Sequence, residues 1–189
     1  MANLVNVTDK EAQLWSTMIE KELNAPLTSS AGRLFDGVAA LLGLSDRVDY
    51  EGEAAIELEE LAASWIPQSE ETDCYPASII NPSLLTILDW APIIQGVLAD
   101  RERISLACIA AKFHRTLALC IVAMAKQRST AQVILSGGCF QNRLLSERVL
   151  TELREAGFVP FTNQQVPPND GGISVGQILG GCNVLVGAR

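Results

Sequence analysis

Residues 133–142 read VILSGGCFQN. An apolar run with β-branched members, ending in Ser136-Gly137-Gly138, is a buried strand entering a turn. A helix is expected directly after it, over residues 142–156, stopped by Gly157. Glycines at such a turn let the backbone approach a ligand closely and present N–H groups towards it. The first turn of the following helix favours an anion. Two readings stand: a turn that holds a phosphate or ribose, or an ordinary strand-to-helix connection. Asn142 correspondingly offers its amide to a sugar hydroxyl or base, or simply caps its helix.

Working outward, residues 104–128 read as a long helix, apolar nearly all round and therefore buried. A strand is expected over 132–135 and another over 158–162. After Pro167-Pro168 a glycine-rich helix runs from about Gly171 to Val186. Helix, strand, helix, strand, helix implies a parallel or mixed sheet covered by helices, an α/β layer architecture. The first half is mostly helical. Helices are expected over 9–23, capped by Thr8 or Asp9, from Thr28-Ser29-Ser30 through Leu42, and over 54–65. Leu34, Phe35, Val38, Leu41 and Leu42 share one helical face. Two short strands, 74–80 and 84–89, are joined by Asn81-Pro82, and a short helix spans 92–98.

Composition narrows the function classes. The chain has 189 residues, 48% hydrophobic and 19% charged, which suits one globular domain over 1–189. With only 5% aromatic residues, the core must be aliphatic. A formal net charge of -8 leaves no basic surface for nucleic acid. The five cysteines include no CxxC pair, which speaks against a disulfide framework or a cysteine-rich zinc site. The apolar stretches 104–124 and 173–186 are interrupted by Lys112, His114 and Arg115, and by Gln177 and Asn183, so neither reads as a membrane span. The start MANLVNVTDK lacks a signal-peptide pattern, and the cytoplasm is the expected compartment.

Two further segments can carry chemistry. In VPPNDGGISVGQ, residues 166–177, Asp170 stands at the start of a helix, where the dipole favours a carboxylate. It is either a helix cap or a metal ligand with open glycine backbone beside it. In TSSAGRLFDGVAALLGL, residues 28–44, Asp36 is an acid inside an otherwise apolar helix. It marks a solvent-facing turn, or a carboxylate that grips ribose hydroxyls. His114, the only histidine, lies in the long apolar helix and reads as structural.

In this order, TSSAGRLFD, LLGL, YEGEAAIELE, LSGGCFQNRLL and VPPNDGGISVGQ closely resemble the C-terminal half of the carbamoyl-transfer domain of HypF proteins, over nearly the whole chain. TsaD proteins and antibiotic O-carbamoyltransferases share a looser version. The resemblance implies one lobe of an actin-like, sugar-kinase-like (ribonuclease H-like) ATPase fold. It implies that Asp36 contacts the nucleotide ribose and that Gly52 and Glu53 form a turn beside the same nucleotide. TsaD-like proteins have two glycines there, so Glu53 departs from them and fits HypF. It further implies that Gly137 and Gly138 lie under the nucleotide, that Asn142 contacts it, and that Asp170 is a ligand of the catalytic metal. No residue is assigned as the catalytic one.

The implied activity is transfer of a carbamoyl group from carbamoyl adenylate, made with ATP in a YrdC-like module, to the C-terminal cysteine of HypE. The thiocarbamate becomes a cyanide ligand of iron in nickel–iron hydrogenase. The implied metal is divalent, iron or zinc, and its two histidines, spaced His-x-x-x-His, belong to the first lobe of the domain. That lobe and the YrdC-like module are expected partners outside these 189 residues. Two alternatives remain at this point: a lobe that binds nucleotide or partner without turnover, and a TsaD-like role in tRNA modification. The acidic balance and the HypF-like PPNDGG and TSSAGRLFD segments speak against the latter.

Overall fold

The structure is a computed structural model that describes residues 7–45, 47–66, 73–81 and 85–187, with side chains through Cys182. Its elements in chain order are α1 (Asp9–Glu20), α2 (Ala31–Leu42), α3 (Glu53–Ala63), β1 (Ser78–Ile80), β2 (Ile87–Asp89), α4 (Ala91–Asp100), α5 (Leu106–Ala125), β3 (Gln132–Leu135), α6 (Arg143–Glu155), β4 (Val159–Thr162) and α7 (Ile173–Gly187). Single 3-10 turns at Gly138–Gln141 and Asp170–Gly172 precede α6 and α7.

The helix ends follow local chemistry. Thr8 caps α1 in a reciprocal pair with Glu11. Ser30 caps α2, and Gly43 closes it at φ 74°, a conformation that costs glycine little. Ser105 caps α5 and Asn142 caps α6. Pro92 sits in the first turn of α4, where its missing N–H costs nothing.

Helix α5 is the axis of the core. It packs along α3 and α6 and against α4, while α2 packs on α3. Its buried residues Ile109, Ala110, Phe113, Leu117 and Ala118 meet Phe35 and Val38 of α2, Leu58 of α3, Ile93 and Val97 of α4, and Val149 and Leu153 of α6 in one apolar cluster. Among the described residues α5 is the one helix long and apolar enough by composition to cross a bilayer. Its apolar surface is instead taken up by these neighbours. Segment 73–77 is fastened to the same axis. The Tyr75 N–H donates to Thr116 Oγ1 at 2.8 Å, and the Tyr75 ring lies so close to Gly96 that a Cβ there would stand 2.4 Å from it. Lys112, 4.4 Å above that ring, pairs with Asp100 at 3.0 Å and Asp73 at 3.3 Å.

The strands pair within each half, consistent with the parallel or mixed sheet expected of the second. Among the described residues, β1 and β2 form an antiparallel pair, and β3 and β4 a separate parallel pair with Ile134 opposite Phe161 and Leu135 opposite Thr162. The β3–β4 pair has two unlike faces. Val133, Leu135, Pro160 and Thr162 are at least partly buried, whereas Ile134, Val159 and Phe161 stay exposed on the other face. β1 and β2 are also shorter than expected; Pro82 and Leu84, assigned to the hairpin, lie outside the described residues. Helix α7 exposes Ile173, Ile178 and Leu179 and touches little beyond the turn that precedes it.

The core account has a direct consequence. Leu58 is 0% exposed between α2 and α5, so Leu58→Ala is expected to lower unfolding free energy by about 2–5 kcal/mol, the range for a buried leucine that leaves a cavity. Leu27→Ala, at a fully exposed position, should change it by less than about 0.5 kcal/mol. Urea titrations of both variants give the comparison.

Candidate functional site

Strand β3 ends at Leu135, and the chain turns at Gly137 with φ 110°. That conformation is open to glycine and strained for other residues. The Gly137 N–H does not face outwards. It donates to the Pro168 carbonyl at 2.7 Å, which stitches the glycine turn to the Pro-Pro loop before Asp170. The turn is held from the other side by Ser146, whose hydroxyl donates to the Phe140 carbonyl at 2.7 Å. Gly138 is different. Its φ is not positive, and a Cβ built on it meets no atom within 4 Å. Packing within the chain therefore gives no reason for glycine at 138.

The helix start that should favour an anion has one already. Leu144 N–H donates at 3.1 Å to Glu59, a carboxylate from α3, and Leu145 N–H donates at 2.7 Å to Asn142 Oδ1. The first turn of α6 is thus satisfied from inside the chain. Neither Glu59 nor the Pro168 carbonyl announces this role in the sequence, because each partner is remote along the chain.

Asn142 is 9% exposed. Its oxygen caps α6, so its amide nitrogen faces the other way, 2.9 Å from Nε2 of His114. An amide NH2 only donates, so Nε2 must accept and carry no proton. The other ring nitrogen, Nδ1, lies 2.8 Å from the Ala110 carbonyl, which only accepts, so Nδ1 carries the proton. One neutral tautomer satisfies all three contacts. His114 is 0% exposed, with Phe35 and Phe113 packed edge-on against it. Burial, opposed by the Ala110 carbonyl and aided by the nearby Arg148 guanidinium, lowers its pKa to about 4.

Asp36 lies on α2, half-exposed and 3.5 Å from Arg33. Helix α2 abuts the glycine turn: a Cβ on Gly32 would stand 4.0 Å from Cys139 Sγ. Burial first, and then the Asp36 carboxylate one turn along α2 from Gly32, raise the Cys139 thiol above the usual range. Gly52, at φ 87°, begins α3, and the Glu53 carboxylate accepts the Asp49 N–H within its own loop. Among the described residues neither shares a hydrogen bond or ion pair with Asp36 or residues 137–142.

Asp170 is exposed in the turn before α7, next to the loop that Gly137 grips. Asn169, not Asp170, caps that turn, with its side-chain oxygen accepting the Gly171 N–H at 3.0 Å. The glycines after it have a packing reason: a Cβ on Gly172 would come within 2.9 Å of the Pro167 carbonyl. Asp170, the Gly137–Gly138 turn and Asp36 thus belong to one region, joined through Pro168 and Cys139. Asn142 shares that turn but aims its side chain inwards. Among the described residues no three carboxylate, thiol or imidazole groups converge to hold a metal ion. Asp170 alone does not fit a divalent metal, which takes several ligands.

Residues 1–177 match the family model described as carbamoyltransferase, Kae1-like domain, second subdomain. The chain is 44% identical over 168 residues to carbamoyltransferase HypF of Synechocystis sp., covering 88% of this chain and 20% of that protein. It is 34% identical over 178 residues to a carbamoyltransferase HypF homolog of Cupriavidus necator, covering 90% of this chain and 45% of that one. It superposes on a crystal structure of full-length HypF in the phosphate- and nucleotide-bound form with a TM-score of 0.81 and 36% identity, covering 90% of this chain and 22% of that one. The T. kodakarensis HypF crystal structure gives a TM-score of 0.76 at 29% identity, covering 94% and 23%. The fold is therefore the α/β fold of these structures, and the chain spans about a fifth of the length of most of these relatives.

The His114 geometry sets a pH dependence. An unfolded histidine titrates near 6.5 and the folded one near 4, so the neutral form's contribution is fully present above pH 6.5. As pH falls from 6.5 to 4, the unfolded chain takes up a proton that the folded chain refuses. Stability should drop through that window by about 3 kcal/mol in all. Carboxylates titrate there too, so the readout is wild type minus His114→Gln at each pH. That difference should shrink on acidification; a pH-independent difference would contradict the buried neutral ring.

Proposed function

The chain belongs to the HypF carbamoyltransferase family, and from that premise we propose that it is the nucleotide-facing lobe of a carbamoyltransferase. The whole of residues 1–189 forms one domain, the C-terminal lobe of an actin-like, sugar-kinase-like carbamoyl-transfer domain. The reaction moves a carbamoyl group from carbamoyl adenylate to the C-terminal cysteine of a HypE-like acceptor, as a step in nickel–iron hydrogenase maturation.

One observation carries the nucleotide reading. Gly138 is exposed, and a Cβ there would face open space, in a turn that the Asp36-bearing helix α2 abuts. A ligand lying flat against the turn explains a glycine that packing does not. In this reading Asp36 accepts hydroxyl protons of the ribose, and exposed backbone of the glycine turn lies under the nucleotide. Gly137 contributes shape rather than a hydrogen bond, since its N–H is used by Pro168. Asn142 has one amide N–H beyond the one given to His114, and that is its contribution to the ligand. Gly52 and Glu53 complete the pocket wall from the loop before α3. The nucleotide-bound full-length HypF structure supports nucleotide as the ligand class.

The metal does not follow from these residues. Asp170 is one carboxylate, and it serves as one ligand among several supplied by the histidine-bearing lobe. That single carboxylate favours a second reading for the chain by itself: a lobe that binds nucleotide and partner without turnover. No step of the transfer is assigned here to a metal.

Two substitutions test the nucleotide reading together. Gly138→Ala should leave thermal stability unchanged, because no atom opposes the new methyl, yet weaken ATP binding by obstructing the turn. Asp36→Ala should weaken ATP binding by about 1–3 kcal/mol, the range for losing a partner of buried polar groups. Calorimetric titration of ATP into each variant measures both. Unaltered affinity in the two variants would remove the basis of the assignment.

A further inference from the structure

The polar pair in the core suggests more than a satisfied histidine. Asn142 N–H also donates to the Cys139 carbonyl at 3.2 Å, so this residue closes the 3-10 turn as well as capping α6. Its carboxamide could be rotated by half a turn without changing its volume. Rotated, it would present nitrogen to the Leu145 N–H and oxygen to the inside. Two contacts forbid the rotation: the Leu145 N–H, which needs an acceptor, and, from α5, His114, whose Nδ1–H is held by Ala110, which leaves Nε2 as an acceptor and nothing else. Aromatic rings of Phe35 and Phe113 hem in the imidazole and keep its plane.

We propose that His114 is a positioning residue of the nucleotide site: it fixes the facing of the Asn142 carboxamide and thereby sets residues 138–142 for the ligand. This rests on the nucleotide reading above. The chain of cause runs from Ala110 to the imidazole, from the imidazole to the Asn142 amide, and from Asn142 to both the 3-10 turn and the α6 cap. His114 is buried, 0% exposed, and touches no ligand itself. An apolar residue of similar size would fill the space and leave the Asn142 amide without its acceptor. Glutamine, by contrast, can bring a carbonyl oxygen to where Nε2 stands.

The experiment has two arms on the full chain. In the first, long-range proton–nitrogen correlation spectra read the tautomer of the only histidine without overlap. The wild type should show Nδ1 protonated and Nε2 bare. Asn142→Asp should bring a proton onto Nε2 while Nδ1 keeps its own, because the carboxylate and the Ala110 carbonyl both only accept. Nε2 protonated in the wild type, or Nε2 still bare in the variant, overturns the proposal. In the second, ATP is titrated calorimetrically into the wild type, His114→Leu and His114→Gln, with circular dichroism checking the fold. Leucine should weaken binding about tenfold and glutamine should restore most of it. Equal binding by the wild type and the leucine variant overturns the positioning role alone. Glutamine as weak as leucine shows that bulk, not the acceptor, matters, and also overturns it. No ATP binding by the wild type overturns the nucleotide reading and this inference with it. Should the leucine variant fail to fold, the tautomer arm and the glutamine variant decide.

Discussion

A hydrogen bond between Asn142 and His114, 2.9 Å long and sealed inside an apolar core against Phe35 and Phe113, joins the part of the chain that makes the core to the part that makes the turn. Polar groups are costly to bury unless paired, so the two residues constrain each other strictly. The imidazole has to lie on the face of α5 that meets α6. Asn142 has to sit at the end of a 3-10 turn and the start of a helix at once. Moving either α5 or α6 by a fraction of a turn would strand a donor or an acceptor in apolar surroundings, at a cost of about 1–3 kcal/mol. Packing of Leu, Ile and Val side chains supplies the bulk of the driving force, but it tolerates sliding. The polar pair does not.

The turn inherits its geometry from this constraint and from two others. Pro168 takes the Gly137 N–H, and Glu59 takes the Leu144 N–H. Three elements far apart in sequence, α3, α5 and the Pro-Pro loop, therefore converge on the segment from the end of β3 to the first turn of α6. Of the donors that a glycine turn and a helix end would offer to a phosphate, those of Gly137, Leu144 and Leu145 are used inside the chain. What remains open is surface: the backbone at Gly138, the flank of α2 at Asp36, and the exposed Asp170 next to the gripped loop. That division suits a ligand held by shape and by a carboxylate on its sugar more than one held by its charge.

Much of the fold was legible because it is local. The helix ends at Thr8, Ser30, Gly43 and Asn142 are set by side chains and glycine within a turn of the boundary. The run 132–135 was read as a strand to its residue, since its bounds are a threonine–alanine pair and a double glycine. Strand partnership was legible in part. The parallel pairing of β3 and β4 follows from the helix between them, but alternation does not tell that the two pairs stay separate among the described residues. The site shows the same split. Gly137, Gly138 and Asp170 stand out by composition, yet the reasons for Gly137 and Gly172 are a φ of 110° and a near-clash with the Pro167 carbonyl. The partner of His114 was only half legible: a lone histidine in an apolar helix needs a polar neighbour, but Asn142 and Asn169 both stand at helix starts. Glu59 offered no such signal, being one of several acids on an acidic helix.

A crystal structure of this chain with a non-hydrolysable ATP analogue measures directly where a nucleotide sits. The ribose is expected beside Asp36 and the ligand against the backbone of Gly137 and Gly138, with the Asn142 amide still donating to His114. A nucleotide bound away from the glycine turn, or one that reaches the turn only after the Asn142–His114 hydrogen bond has broken, would contradict that placement.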